Sequence, residues 1–309
     1  MSDHIPMRVA VVGATGFQGG ATARLLAERK HRVRTLSRKP EADRPELPGI
    51  SVASGDLGRY EDVRQLFEGA THAAVVMPLV YQAEKVMRYA QHIAKAAREA
   101  GVGRLVYNTN TRIPDRSTNV VAFETRRLAE TVFRESLAHS GVEVVVVRPP
   151  VYLDNLFSPW NGPALVNEGV LAYPLPADTP TAWISHRDMA EAVYAALTVD
   201  GVAGRTFDIG GAQTLTGDQL AKAFGQGLGR EIRYVPLEPG IFEQGLAQIL
   251  GTESAAGVSG IYHYMAAGLE PCLMAGDESD LAAALSVKPA PVDEWVARQP
   301  WQMWSGEQS

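Results

Sequence analysis

Through its first half the chain alternates between short apolar runs and longer stretches in which apolar residues recur every three or four positions. The first run, Val9-Ala10-Val11-Val12, leads into the glycine-rich turn Gly13-Ala14-Thr15-Gly16-Phe17-Gln18-Gly19-Gly20, and a helical pattern with Ala21, Leu25 and Leu26 follows. Further strands are predicted at 33–36, 50–53, 73–77, 105–107 and 142–147. Helices are predicted around 62–68, from beyond Pro78 to Ala100 with Val86, Ala90, Ile93, Ala94 and Ala97 on one face, and over about 123–139. Gly101 and Gly141 are natural helix stops. The run 142–147 is almost continuously apolar, as a strand covered on both faces must be. Strands joined by helical crossovers pair in parallel, so the first 150 residues are expected to form one doubly wound α/β sheet.

The second half is less regular. Pro149-Pro150 opens a Pro- and aromatic-rich segment through Pro180 that reads as binding loops, because Trp160 and Tyr173 would be odd in a tether. A short strand is expected at Trp183-Ile184, a helix capped by Asp188 after it, and an alternating strand at 205–209. Thr216 with Gln219 three positions on forms a capping-box pattern for a further helix. The expected organisation is a nucleotide-binding domain over 7–158 plus 182–212, a smaller and mostly helical substrate lobe over 159–181 plus 213–299, and a tail over 300–309.

The net charge is −6 over 309 residues and no basic stripe is visible, which argues against nucleic acid as a direct partner and for a small-molecule substrate. The single cysteine, Cys272, permits no intrachain disulfide and no cysteine-based metal cluster, and its default reading is a buried structural thiol. No apolar run has the length of a signal peptide or a membrane span, so no membrane association is expected and the cytoplasm is the default location.

The glycine turn carries the chemistry. Gly13 allows a tight turn after the strand, Gly16 lets backbone N–H groups approach a pyrophosphate, and Gly19 lets the new helix pack closely on the sheet. Thr15, Phe17 and Gln18 complete the loop and the first turn of a helix whose positive end faces the phosphates. A second strand that ends in Asp or Glu would select a free ribose 2′-hydroxyl, whereas this chain reads Leu36-Ser37-Arg38-Lys39. Ser37 can hydrogen-bond a 2′-phosphate and Arg38 and Lys39 can neutralise it, so NADP(H) is favoured over NAD(H). Asp56 and Leu57, after the third strand, are placed for the adenine. Met77 and Pro78 lie at the same edge, after the fourth strand.

With Gly13, Gly16 and Gly19 in Gly-x-x-Gly-x-x-Gly spacing, Gly55-Asp56-Leu57 next, and Arg148-Pro149-Pro150-Val151-Tyr152-Leu153-Asp154-Asn155 further on, the chain resembles the atypical short-chain dehydrogenase/reductases. Within these it is most similar to the NmrA-like group, over roughly residues 7 to 300. The resemblance implies a Rossmann core, a C-terminal substrate lobe and NADP(H) use, with roles ranging from reductases to dinucleotide-sensing regulators. A homodimer and a regulatory protein partner are both compatible with it. Short-chain dehydrogenases use a Tyr-x-x-x-Lys pair on the helix after the fifth strand. Here Ala122 falls where the tyrosine would be, and Arg126 stands where NmrA-like relatives commonly carry lysine, a guanidinium able to hold the nicotinamide ribose but a poor proton donor. Thr109 matches the usual serine position and is a candidate for orienting a substrate carbonyl.

Candidate proton donors are therefore sought elsewhere. Tyr81-Gln82-Ala83-Glu84-Lys85 has the dehydrogenase spacing one crossover too early and reads as chance, although Tyr81 borders the cofactor edge. Tyr152 and Asn155, in the segment that flanks the nicotinamide in relatives, offer a phenol and an amide, and Trp160 is a candidate substrate contact. For His186 a buried structural role is expected. The leading expectation is an NADPH-dependent reductase of a small apolar carbonyl, quinone or conjugated substrate, working without the usual tyrosine–lysine pair and with no metal. Its alternatives are a non-catalytic NADP(H)-binding redox sensor and a redox-neutral isomerase or cyclase that retains the cofactor.

Overall fold

The computed structural model describes residues 5–39, 47–276 and 284–305. The sequence also reads as a Pro- and charge-rich loop from Pro40 to Pro48, and this loop lies largely outside these residues, as does the end of the expected tail. Five apolar runs form strands at or within a few residues of the expected bounds: β1 (Arg8–Val12), β2 (Arg32–Ser37), β3 (Ile50–Ser54), β4 (His72–Val76) and β5 (Arg104–Asn108). The run after Gly141 forms β6 (Glu143–Val147). Between them lie α1 (Phe17–Glu28), α2 (Tyr60–Phe67), α3 (Ala83–Glu99) and α4 (Val121–Leu137). In the second half come α5 (Gly162–Glu168), β7 (Val170–Tyr173), α6 (His186–Thr198), β8 (Thr206–Phe207), α7 (Gly217–Leu228), β9 (Arg233–Pro236), α8 (Pro239–Leu250), α9 (Thr252–Ala266) and α10 (Val292–Ala297).

The main sheet has seven parallel strands in the order β3-β2-β1-β4-β5-β6-β8. Strand pleating sends alternate residues to opposite faces, and the core divides accordingly. Val9, Val11, Ala74, Val106 and Val145 join Leu26 of α1 and Met189 and Val193 of α6 on one face. Ala10, Val12, Val75, Leu105 and Val146 join Phe67 of α2, Ile93 of α3 and Phe133 of α4 on the other. The chain order reverses between β1 and β4, so the carboxyl ends of these two strands open the crevice in which doubly wound sheets bind ligands.

A third apolar cluster, containing Phe224, Tyr262, Trp295 and Trp301, lies outside the sheet. Five features of the second half differ from the sequence reading. The segment 151–181 carries α5 and β7, and β7 pairs in parallel with β9, from Val170 with Arg233 to Tyr173 with Pro236. Trp183-Ile184 forms only an isolated bridge, Ile184 with Tyr152. The cap of α6 is Ser185, not Asp188: the Ser185 hydroxyl accepts from the Asp188 N–H at 3.0 Å and donates to its carboxylate at 2.7 Å. Residues 301–305 are not a free tail, because Trp301 is 5% exposed and donates its indole N–H to the Val296 carbonyl at 2.7 Å. Cys272 is exposed, not buried. No described helix is long and apolar enough to cross a membrane.

Candidate functional site

The glycine turn after β1 has the geometry expected from its spacing. Gly13 sits at φ +85°, and an added Cβ would lie 2.7 Å from the Val76 carbonyl oxygen. At Gly19 an added Cβ would overlap the Gly13 backbone, so the helix can approach the turn only without a side chain there. Gly16 is the N-cap of α1, with no side-chain cap and no acidic residue in the first turn. The N–H groups that open the helix are thus left for an anion. Thr15 and Phe17 are exposed beside them and Gln18 is half-buried.

Next to this turn, a cavity of about 100 Å³ is lined by Val12, Gly13, Thr15, Leu36, Ser37, Arg38, Gly55, Asp56, Leu57, Leu66, Pro78 and Tyr89. It brings together most of the residues expected around the adenine half of a dinucleotide. Ser37 is buried and its hydroxyl accepts from the Lys39 N–H at 3.2 Å, which folds the chain after β2 back over the cavity. Arg38 and Lys39 are exposed. Asp56 accepts from the Gly58 N–H at 2.6 Å, and its own N–H donates to Asp62 at 2.9 Å, so its carboxylate shapes the loop floor. No carboxylate ends β2. Leu66 and Tyr89 were absent from the sequence reading; Gly55 was part of the Gly55-Asp56-Leu57 motif, and an added Cβ there would press on Leu36 and Asp62.

At the other half of the crevice, Met77 is buried and its carbonyl faces the Asn110 amide at 3.5 Å. Arg126, in the second turn of α4, is 4% exposed, and its guanidinium carbon lies 5.0 Å from the centroid of the Tyr81 ring. Ala122 is buried one turn earlier. The structure therefore joins two residues that the sequence presents on separate crossovers. Gly257 of α9 was also missed: an added Cβ would overlap the Tyr81 ring. Its signal is that glycine in a helix interior is unfavourable unless a neighbour needs the space.

Of the remaining candidates, Thr109, Tyr152 and Asn155 are engaged elsewhere and Trp160 is exposed. Thr109 is fully buried and donates to the Thr111 carbonyl at 2.7 Å, leaving no free hydroxyl for a substrate carbonyl. Tyr152 is 3% exposed in the core beside Asn108, and burial drives its phenol far above the ordinary range. Its ring packs on His186 at 4.8 Å, while His186 stacks on Phe17 and faces Asp154 at 3.3 Å. Asn155 donates its amide to the Tyr173 hydroxyl at 3.0 Å, and Tyr173 shares a 2.6 Å hydrogen bond with Tyr262. These two phenols pack with Trp183 and Phe242 into an aromatic wall. Trp160 is 48% exposed.

This arrangement has counterparts among known proteins. The chain is 30% identical over 231 residues to an NAD(P)H azoreductase of Xenophilus azovorans, covering 74% of this chain and 77% of that protein. It is 29% identical over 301 residues, 97% of both chains, to a (4-alkanoyl-5-oxo-2,5-dihydrofuran-3-yl)methyl phosphate reductase of Streptomyces griseus. The fold superposes on the triphenylmethane reductase of Citrobacter sp. complexed with NADP(H), with a TM-score of 0.71 at 22% identity, covering 94% of this chain and 99% of the other. The model of the NmrA-like family matches residues 6–296, and the chain belongs to that family.

Proposed function

We propose that the protein is an NADPH-dependent reductase of a small, apolar carbonyl, quinone or conjugated acceptor. The observation that carries this reading is the uncapped N-terminus of α1 opening beside a cavity lined by Ser37 and Arg38, at the crevice where the sheet order reverses. The glycine turn and the first N–H groups of α1 suit a pyrophosphate, because Gly13 and Gly19 let β4 and the start of α1 close onto the turn and no side chain caps the helix. Ser37, Arg38 and Lys39, with no carboxylate at the end of β2, suit a ribose 2′-phosphate and favour NADP(H) over NAD(H). Asp56, Leu57 and Pro78 would flank the adenine half, and Met77 and Arg126 the nicotinamide half. When bound, the reduced dinucleotide supplies the hydride.

The two relatives named above are both reductases, which supports this reading. The substrate wall would come from the lobe of 159–181 plus 213–299, where Tyr173, Tyr262 and Phe242 suit a flat, apolar acceptor. The test is NADPH oxidation, followed at 340 nm, across aldehydes, enones, quinones and azo dyes. Turnover with at least one class is expected; tight NADPH binding with no turnover on any class would overturn the reading. That second outcome would favour a dinucleotide sensor, which the buried Ala122 in place of the dehydrogenase tyrosine makes the next reading.

A further inference from the structure

We propose that Tyr81 is the proton donor for this reduction, with Arg126 as its counter-charge and Gly257 as the notch that seats its ring; the inference rests on the reductase reading above. The residues come from three parts of the chain. Tyr81 lies in the connection from β4 to α3, at the carboxyl edge of the sheet, and is only partly buried. Arg126 belongs to the next crossover, and Gly257 to the lobe helix α9.

Two features of Arg126 call for a partner. It is almost fully buried, and no carboxylate pairs with it among the described residues; its hydrogen bond runs to the Thr125 hydroxyl at 3.2 Å. A buried cation without a counter-ion is costly, and the face of an aromatic ring relieves the cost only in part. A phenolate forming on Tyr81 would complete the pair.

The ring is held from the opposite side as well. An added Cβ on Gly257 would collide with it, so α9 approaches Tyr81 only because that position lacks a side chain. Helix α9 is tied down around this contact. The Gln82 amide donates to the Glu253 carboxylate, and Arg116 reaches the Tyr264 hydroxyl and the Glu270 carboxylate, both at 3.0 Å. The titratable groups around the phenol are Arg126 from α4, Tyr262 from α9, and Glu253 through Gln82. Burial keeps the Tyr81 phenol above its ordinary value while the Arg126 charge pulls it down. The group is therefore protonated near neutral pH, as a general acid must be. Tyr152 is sealed in the core and Thr109 is engaged, so Tyr81, partly exposed after the carboxyl end of β4, is the remaining sequence candidate for a donor.

In the step proposed, Tyr81 gives its phenolic proton to the acceptor's carbonyl oxygen as the hydride supplied by the reduced dinucleotide reaches the carbonyl carbon. The C=O π bond breaks and new C–H and O–H bonds form. The acceptor leaves as an alcohol, the dinucleotide is left oxidised, and the Tyr81 phenolate takes a proton from water.

The experiment compares the parent protein with Tyr81→Phe, Arg126→Met and Gly257→Ala, using NADPH with an aromatic aldehyde and a conjugated enone. Tyr81→Phe is expected to lower kcat about a hundredfold and to remove the solvent deuterium isotope effect, with NADPH affinity, read by fluorescence, kept within about twofold. Gly257→Ala should lower kcat by displacing the ring. Ultraviolet titration of the phenols without cofactor gives a second readout: one transition disappears in Tyr81→Phe, and the same transition moves to higher pH in Arg126→Met, because a cation that favours phenolate has been removed. Parental kcat and isotope effect in Tyr81→Phe would overturn the donor role and leave the reductase reading standing. Absence of parental turnover across the whole panel of aldehydes, enones, quinones and azo dyes would overturn the reductase reading instead. An Arg126→Met titration identical to the parent's would by itself overturn the pairing.

Discussion

On the proposed reading, Arg38 is the residue on which cofactor choice would turn. It is exposed at the lip of the cavity, next to the buried Ser37, with no ion pair among the described residues to occupy it. A guanidinium in this position has a planar fork suited to a phosphate and little use for a ribose hydroxyl. Arg38→Ala should weaken NADPH binding by about tenfold, the size of one charge-assisted contact, and leave NADH binding unchanged. Titrating both nucleotides by fluorescence quenching checks this, and equal losses for the two would refute the assignment. The placement of Gly13, Gly16, Gly19, Ser37 and Arg38 around one turn and cavity was legible because it depends on local backbone geometry and on neighbours in sequence. Thr109, Tyr152 and Asn155 were not. The Thr109 hydroxyl is taken by the Thr111 carbonyl, the Tyr152 ring is sealed in the core against His186, and the Asn155 amide is taken by Tyr173; the last two of these environments form only after separate segments meet.

At the scale of elements, α1 is a helix whose start is kept empty. It has no side-chain cap and no acid in its first turn, although either would stabilise it. Side-chain caps are absent from α2, α3, α4, α9 and α10 as well, but each of these carries an acidic residue in its first turn, while α7 has a complete capping box, Thr216 with Gln219, and α6 is capped by Ser185. The difference is consistent with α1 reserving its positive end for a phosphate. Gln18→Glu would place a carboxylate there, stabilising the free helix and repelling the ligand. Thermal denaturation without cofactor should show an unchanged or slightly raised midpoint, and NADPH affinity should fall by about tenfold or more. Loss of both stability and affinity would mean that the substitution damages the turn itself. The glycine cap and the capping box at Thr216 could be read ahead of the structure because both are contained within one helical turn. The β7–β9 pair could not, since it joins strands about 60 residues apart and periodicity carries no record of such pairing.

Three apolar clusters hold the described residues together: two sandwich the parallel sheet, and the third packs outside it, where the proposed lobe would lie. Trp301 closes the third. Its ring meets Phe157 at 4.9 Å, Phe224 at 5.9 Å and Trp295 at 6.3 Å, each roughly edge to face, and its N–H is satisfied by Val296. The residues just past Pro300 read as a tail because two tryptophans among polar neighbours show no periodicity, yet an aromatic buried to this extent is a structural anchor. Trp301→Ala should destabilise the protein by about 3–5 kcal/mol through loss of buried area and the cavity left behind. That loss falls on the lobe, because Trp301 touches neither cluster at the sheet. The NADPH dissociation constant should therefore stay near that of the parent, while KM for the acceptor rises and the denaturation midpoint drops. Isothermal titration with NADPH, steady-state kinetics and urea unfolding separate these effects. A parallel collapse of NADPH binding under native conditions would show that lobe and sheet fold as one unit, and that the crevice depends on packing well beyond the residues that line it.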